Sequence, residues 1–415
     1  MTDGADLALL FATRLARMFA YGFLSVVLVL YLSALGFDGT RIGLLLTLTL
    51  AGDTVISLWL TTHADRMGRR KVLVIGAGLM LVAAATFAAS DAFPVLLAAA
   101  TVGVLSPSGN EVGPFLAVEQ AALAGIVPDR DRTRVFGWYN LVGSFATAGG
   151  ALAAGALVQA VQATGGGSIG GYRAVVVGYG LLGLLLGVLF ARLSGHVEAV
   201  VPTGTSVRGR LGLHRSRDVV LRLSALFSLD AFAGGLVMQS VVAYWFHVRF
   251  GVEPAALGAI FFGANLLAGL SALFAARLAA RIGLIETMVV THIPSNVLLI
   301  LVPLMPTLPL ATAVLLLRFS ISQMDVPTRQ SYTMAVVDPD ERSAAAGVTG
   351  IARTTGAAVS PILATPLVAD PALAAIPFVA AGALKIVYDL LVLRAFRAIR
   401  PPEEGSGIRK EGRRG

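Results

Sequence analysis

The sequence predicts an all-α membrane protein in which twelve transmembrane helices form two pseudo-symmetric six-helix bundles. Of its 415 residues, 56% are hydrophobic and 13% are charged, and the mean hydropathy is +0.80. This composition is far too apolar for an ordinary soluble protein. Apolar windows of roughly 20 residues, the length at which a helix crosses a bilayer, recur along the whole chain. Their continuity disfavours a transmembrane barrel, whose strands would alternate with a period of two.

The apolar windows place the helices, which we number 1 to 12, at residues 8–33, 40–62, 72–90, 95–125, 135–162, 172–193, 219–247, 254–281, 285–304, 308–336, 343–368 and 371–395. The longest polar interval follows helix 6, and its prolines, glycines and arginines predict a flexible cytoplasmic linker. The expected domains are an N-terminal bundle, this linker, a C-terminal bundle and a basic cytoplasmic tail, at residues 1–193, 194–218, 219–395 and 396–415.

Landmarks in the first half of the chain return in the second half at nearly constant displacement. The tripeptide Arg66–Gly68 after helix 2 is echoed by Arg281–Gly283 after helix 8, and Gln120 in helix 4 is echoed by Gln330 in helix 10. Such repetition indicates an internal duplication. It predicts two six-helix halves of parallel topology, related by an axis along the membrane normal.

The distribution of arginine and lysine predicts the orientation in the membrane. With the N-terminus inside, the outer loops hold only Arg41, Arg173 and Arg249, and the other loop cations lie inside. Both termini are therefore expected to be cytoplasmic, and the chain to reside in an inner (plasma) membrane. The net charge of +8 is spread over one membrane face without interleaved aromatics, which argues against a nucleic-acid partner. The first helix lacks a basic n-region and a cleavage site, so it is expected to be an anchor.

A cluster of charges separates helices 2 and 3. The stretch from Ala64 to Lys71 reads Ala-Asp-Arg-Met-Gly-Arg-Arg-Lys and holds four cations and one carboxylate. It resembles the signature loop of the major facilitator superfamily, whose Asp-Arg-x-Gly-Arg-Arg/Lys core is matched by Asp65, Arg66, Gly68, Arg69 and Arg70. The sequence departs from the family pattern at Thr61, where a glycine is usual, and at His63, where an apolar residue is usual.

The resemblance, together with the twelve helices and the duplication, covers nearly the entire chain. It implies a secondary active transporter working by alternating access, and not an enzyme. The substrate site would lie near the midplane and be lined mainly by helices 1, 4, 7 and 10. No cofactor is expected. The expected partners are a small-molecule substrate, protons and the lipid bilayer, and the expected state is a monomer.

Charged and polar residues inside those helices are the site candidates, because each costs about 2.5 to 3.5 kcal/mol unless it faces a cavity or a partner. The candidates for the substrate cavity are Arg14, Arg17, Tyr21, Asn110, Glu111, Asp230, Gln239, Asp325 and Arg329. Glu119 and Arg353 lie closer to the inner face, where they are expected either to form a gate network with the signature loop or to contact the substrate. Arg329, which lies near that face as well, could also belong to the gate. Lys385 and Asp389, four residues apart in helix 12, are expected to form a structural pair.

Glu111 is the preferred proton-coupling residue, with Asp230 in reserve. Burial of a carboxylate favours its neutral form, so an acid in the middle of a cavity-lining helix could take up and release a proton. Asp325 is the better fixed charge, because Arg329 follows it by four residues on one helical face.

The first expectation for function is proton-coupled export of a small organic compound by antiport. A typical multidrug antiporter is not indicated, because helix 5 has no proline and helix 4 lacks the Arg-x-x-Gln-Gly pattern of that group. The alternatives are uptake or exchange of an organic anion at Arg14, Arg17 and Arg329, and a non-transporting membrane sensor.

A membrane-embedded hydrolase or transferase is not expected. The stretch Gly165–Gly170 formally matches the dinucleotide-binding motif GxGxxG, and Gly166–Gly170 within it matches the nucleophile motif GxSxG, but no strand precedes them. The five histidines lack metal-ligand spacing, and the absence of cysteine excludes thiolate metal sites, cysteine nucleophiles and disulfides.

Overall fold

The computed structural model describes residues 2–198, 215–338 and 341–396, and all regular secondary structure in these ranges is helical. The helices in chain order are α1 (Thr2–Ser25), α2 (Leu28–Ala34), α3 (Gly39–Met67), α4 (Arg69–Ala89), α5 (Phe93–Val102), α6 (Phe115–Ile126), α7 (Asp129–Ala163), α8 (Gly167–Ala191), α9 (Arg217–Leu236), α10 (Gln239–Phe250), α11 (Pro254–Ile282), α12 (Leu284–Leu301), α13 (Leu308–Phe319), α14 (Asp325–Ala335), α15 (Arg342–Val359), α16 (Pro361–Ala369) and α17 (Ile376–Phe396).

Each of the twelve predicted helices is present, as a single helix or as two shorter helices in succession. Within the described residues, nine stretches are long and apolar enough to cross a membrane by length and composition. The other three predicted spans are 4, 10 and 11, which consist of α5 with α6, α13 with α14, and α15 with α16. The spans that carry most of the candidate acids are therefore the interrupted ones.

Predicted helix 4 is interrupted between Val102 and Phe115, so the expectation of one continuous helix over 95–125 was wrong. Gly109 and Gly113 adopt φ of +70° and +78°, a conformation that side-chain-bearing residues avoid. Pro114, which lacks an amide hydrogen, then stands at the N-cap of α6. Glu111 consequently lies in a non-helical segment rather than on a helical face.

Predicted helix 10 is interrupted between Phe319 and Asp325, so the continuous helix expected over 308–336 was wrong as well. Asp325 lies in the first turn of α14, where a carboxylate is favoured by the helix dipole. Pro327 is the third residue of this helix, where the backbone amide would have no intrahelical partner. The proline therefore falls at the start of a helix and does not bend one.

Helix α3 has a defined cap at each end, and the second cap forms the charged turn to α4. The Asp38 carboxylate accepts a hydrogen bond from the Arg41 amide at 2.8 Å and caps the start of α3. Gly68 ends α3 at a φ of +99°, and α4 begins at the next residue. Only glycine adopts that backbone conformation readily, which explains its position in the signature loop.

The chain divides into two compact units. The first unit consists of α1 to α8, α10, the first part of α11 and α16, and the second consists of α9, the remainder of α11, α12 to α15 and α17. Most of the predicted linker (199–214) and nearly all of the predicted tail (397–415) lie outside the described residues, as do the Pro339 and Asp340 positions. The predicted domain boundaries stay a prediction.

Glycines bring helices close together inside each unit. In the first unit α1 packs on α7, and a Cβ added to Gly22 or Gly150 would collide with a backbone carbonyl oxygen of the facing helix. In the second unit α9 packs on α15, where a Cβ on Gly235 would lie 2.7 Å from the Ala357 carbonyl oxygen. Close backbone approach at small residues is the usual way in which membrane helices associate.

Candidate functional site

The first unit buries a group of charges that we call the N-terminal cluster. Its members are Arg14, Arg17, Glu111, Glu119 and Tyr139. Arg14 and Arg17 are three residues apart on α1 and so share one face. Arg17 lies 2.6 Å from Glu119 and 3.3 Å from Glu111, measured between Nη2 and the nearest carboxylate oxygens, and Arg14 forms an ion pair with Glu111.

The two acids of the N-terminal cluster have different surroundings. Glu119 is 0% exposed and accepts hydrogen bonds from the hydroxyls of Thr13 and Tyr139 as well as from Arg17. The side chain of Glu111 is 19% exposed, and its ion-pair partners are the two arginines. Glu119 is thus a fixed counterion inside the unit, whereas Glu111 is the acid that water can reach.

Neighbouring groups hold the arginines in place. The Arg14 guanidinium lies over the Tyr139 ring, 4.7 Å from its centroid, a cation–π arrangement. A Cβ added to Gly143 on α7 would lie 2.6 Å from the Arg14 Nε, so the missing side chain makes room for the guanidinium. Tyr21 donates from its hydroxyl to the Val112 carbonyl oxygen at 2.9 Å and ties α1 to the segment that carries Glu111.

Two further polar residues contact the same non-helical segment. The Asp53 carboxylate on α3 accepts from the Gly113 amide at 2.7 Å and from the Ser57 hydroxyl. Asn110 is exposed, and its backbone accepts from Ser106 and donates to Ser108. Asp53 therefore stabilises the interruption, and Asn110 is an exposed neighbour of Glu111 in the same segment.

The second unit holds a larger group, the C-terminal cluster, formed by Asp230, His292, Asp325, Arg329, Arg353, Lys385 and Asp389. Asp230 on α9 is its centre and is 4% exposed. Its carboxylate lies 2.5 Å from the Lys385 Nζ, 3.0 Å from an Arg329 Nη1 and 3.7 Å from an Arg353 Nη1. Three cations on three helices thus converge on one buried acid.

The predicted pair between Lys385 and Asp389 is wrong, because the structure pairs each residue with partners on another helix. Lys385 donates to Asp230, while Asp389 accepts from the His292 Nδ1 at 2.7 Å and from the Asn296 Nδ2 at 3.1 Å. Both residues are buried, and partners on facing helices satisfy their charges without exposing them. Asp325 and Arg329, also four residues apart, do contact each other at 3.1 Å.

Gln239 is not brought to Asp230, although both belong to predicted helix 7. Gln239 begins α10 in the first unit, where its side chain donates to the Ser25 hydroxyl at 2.8 Å and accepts from the Asn265 amide at 3.1 Å. Asp230 lies on α9 in the second unit. The two halves of this predicted helix therefore serve different polar networks.

The signature loop is held by an acid that the motif does not contain. Asp65 and Arg69 form an ion pair at 2.9 Å, and Arg66 is exposed. Glu198, which follows α8, accepts from the backbone amide of Arg69 at 2.6 Å and from that of Arg70 at 3.3 Å. A carboxylate at this place satisfies free amides at the start of α4 and interacts favourably with its dipole.

The second unit contains an equivalent clamp. Glu341 is 0% exposed and accepts from the backbone amides of Arg215 and Ser216, both at 2.8 Å, just before α9. Sequence reasoning missed Glu198, Glu341, Tyr139 and the role of His292. Each of these four residues is an acid, a tyrosine or a histidine near a span end or within a span, which was the available signal. Their partners are far away in sequence, so the sequence did not indicate the contacts. Among the described residues, no three histidine, aspartate or glutamate side chains are grouped to hold a metal ion.

The chain is helical and carries paired charges inside membrane-length spans. This arrangement is typical of polytopic transporters, in which intramembrane charges mark substrate and ion paths. The sequence profile of the Major Facilitator Superfamily matches residues 10–361. The chain therefore belongs to this family of membrane transporters.

Individual relatives agree with the family. The uncharacterized membrane protein YJR124C of Saccharomyces cerevisiae is 31% identical over 424 residues, which cover 95% of this chain and 94% of that protein. The quinolone resistance protein NorA of Staphylococcus aureus is 28% identical over 121 residues, 29% of this chain and 30% of its own length. The crystal structure of a bacterial homologue of the human lysosomal transporter Spinster superposes with a TM-score of 0.72 at 16% identity, covering 96% of this chain and 98% of that chain. This last likeness shows the fold alone.

Proposed function

We propose that this chain exports a small organic compound in exchange for protons, by alternating access. The proposal places both termini on the cytoplasmic side of a plasma membrane and keeps the predicted division into two six-helix halves. The observation that carries it is the environment of Glu111: a partly exposed carboxylate in a non-helical segment, paired with two buried arginines.

A proton on Glu111 would change the pairing of the whole N-terminal cluster. Neutralising this acid removes one of the two counterions of Arg17. The other counterion, Glu119 at 2.6 Å, remains. Arg14 loses the acid with which it forms its ion pair. Because a buried charge is tolerated only with a partner, protonation favours rearrangement of α1 and of the segment that carries Glu111.

The direction of transport is supported by the partial likeness to NorA. That relative is named for resistance to quinolones, and a transporter that protects a cell from a compound does so by removing it. The matching region covers less than a third of either protein, so the likeness supports export and leaves the compound open.

The test uses inverted membrane vesicles that hold a pH gradient, reported by a pH-sensitive dye. Addition of a quinolone or another compound of a panel is expected to collapse the gradient in wild-type vesicles and not in Glu111→Gln vesicles. Asp91→Asn is the matched control, because Asp91 pairs with Arg173 at 2.5 Å outside the cluster and should leave the collapse unchanged. Full collapse in Glu111→Gln would contradict the assignment of Glu111.

A second function, uptake or exchange of an organic anion, is favoured by one specific observation. In the part of the chain that the structure describes, Glu111 is the acid within ion-pair distance of Arg14, and this guanidinium also lies over the Tyr139 ring. An anionic compound could replace Glu111 there with little rearrangement. Counterflow of a radiolabelled organic anion that needs no pH gradient and is lost in Arg14→Gln would establish this function instead.

A further inference from the structure

The imidazole of His292 lies between two carboxylates from two other helices. Its Nδ1 is 2.7 Å from an Asp389 oxygen on α17, and its Nε2 is 4.0 Å from an Asp230 oxygen on α9. The side chain of His292 is buried, and the Tyr388 ring meets it edge to face at 6.0 Å. The proposed function does not use this residue.

The short contact to Asp389 determines which nitrogen of the neutral ring carries a hydrogen. An ionised carboxylate only accepts hydrogen bonds, so the Nδ1 of His292 must carry a hydrogen. In the neutral ring the Nε2 then presents a lone pair towards the Asp230 carboxylate. In the imidazolium the Nε2 carries a hydrogen and faces Asp230 as a donor.

The charge of the His292 ring determines whether the Asp389 carboxylate has a cation in contact. Within 4.0 Å among the described residues, the ion-pair partner of the buried Asp389 carboxylate is His292, and Asn296 supplies a neutral hydrogen bond. A neutral imidazole would leave this carboxylate without a cation in contact, which is unfavourable in a buried site. Histidine is also the side chain that ordinarily gains and loses a proton between pH 5 and 8.

Other ionisable groups near Asp230 compete with the His292 imidazolium for the Asp230 carboxylate. The ionisable groups that interact with the ring, with Asp230 or with a partner of Asp230 are Arg318 on α13, Asp325 and Arg329 on α14, Arg353 on α15, and Lys385, Tyr388 and Asp389 on α17. The Asp230 oxygen that faces His292 is the same Oδ1 that accepts from Lys385. The imidazolium and the Lys385 ammonium therefore compete for a single oxygen.

We propose that His292 is a second proton-binding site, and that its protonation draws the Asp230 carboxylate away from Lys385 towards the imidazolium. A hydronium ion gives its proton to the Nε2 lone pair and leaves as water, and the Nδ1 keeps its hydrogen bond to Asp389. One proton thus alters contacts among α9, α12 and α17. The inference rests on the proposed function only in that this proton would join those exchanged during transport.

The test is a pH titration of the protein in lipid nanodiscs with ¹⁵N-labelled histidine, followed by NMR. The His292 signal is assigned by its absence in His292→Gln, and His247→Gln is the matched control that removes a histidine of the first unit. The Nε2 signal is expected to change from acceptor to donor as the pH falls. Asp389→Asn should lower the midpoint by about one pH unit or more, because the paired carboxylate is lost. Lys385→Met should raise the midpoint, because Asp230 loses a competing cation.

A ring that stays neutral from pH 5 to 9 would overturn the proposal, as would two variants that move the midpoint in the same direction. Unfolding of both variants would bring their titration midpoints to that of free histidine, about 6.5. Such a common midpoint lacks the expected opposite shifts and therefore counts against the proposal. The same proteins are then assayed in the vesicles. If no compound moves protons in wild-type vesicles, the proposed exchange fails, while the NMR titration still decides the role of His292.

Discussion

The ion pair between Arg17 and Glu119 offers a sharp test of the N-terminal cluster, through the variants Arg17→Met, Glu119→Gln and the double variant. Both side chains are 0% exposed and lie 2.6 Å apart. Arg17→Met leaves Glu119 with the hydroxyls of Thr13 and Tyr139. An uncompensated buried charge of this kind costs about 3 to 5 kcal/mol of the free energy of unfolding.

Glu119→Gln is expected to cost less. Arg17 keeps Glu111 at 3.3 Å, so the remaining charge still has a partner, and the loss is the charge-assisted hydrogen bond, about 1.5 to 3 kcal/mol. In the double variant the glutamine is neutral, so the penalty of an unpaired Glu119 disappears. The double variant should therefore be more stable than Arg17→Met alone, although it carries one more substitution.

The measurement is unfolding in mixed micelles with increasing SDS, followed by tryptophan fluorescence; of the three tryptophans, Trp138 precedes Tyr139 on α7. Arg134→Met is the matched surface control, because Arg134 is largely exposed and its pair with Asp131 should contribute little. If Glu119→Gln lowers stability by the same amount with and without Arg17, the two side chains are not coupled and the arrangement of the cluster is wrong.

Three further predictions follow from close contacts. Gly143→Ala should slow compound-dependent proton movement, because its Cβ would displace the Arg14 guanidinium, whereas Gly149→Ala on the same helix has its nearest atom at 3.8 Å and should remain as active as the wild type. Glu198→Ala should lower the free energy of unfolding by about 0.5 to 2 kcal/mol. It should also speed amide hydrogen exchange at the start of α4, measured by mass spectrometry, and Glu198→Gln should restore part of the protection. Glu341→Ala should act likewise at the start of α9, with the larger effect because this acid is fully buried; equal protection in variant and wild type would refute either clamp.

The spans were predictable because apolar length is a local property of the sequence. The interruptions at Glu111 and Asp325 were not placed by that reasoning, because a hydropathy window reports burial and not backbone hydrogen bonding. Gly109, Gly113 and Pro114 carried the signal for the first of them. Turn chemistry at these positions outweighed the apolar pattern.

The candidate site was predictable where partners are close in sequence. The contact between Asp325 and Arg329 follows from four-residue spacing on one helix. The same spacing misled for Lys385, which reaches Asp230 on another helix, 155 residues away in sequence. Spacing shows which side chains share a face and not which neighbouring helix offers a better partner, so tertiary packing decides such cases.

The charge balance of the N-terminal cluster connects the two candidate functions. Its two arginines are matched by two glutamates, so the cluster is neutral when Glu111 is ionised and carries one positive charge when Glu111 is protonated. A buried cluster is most easily closed off from water when it is neutral. A cationic compound bound beside an ionised Glu111 gives the same single positive charge as the proton, and binding both would give two positive charges, so the compound and the proton compete, which gives exchange. An anionic compound restores neutrality together with the proton, which gives movement in the same direction. The charge of the transported compound should therefore fix the sign of its coupling to protons in this one cluster.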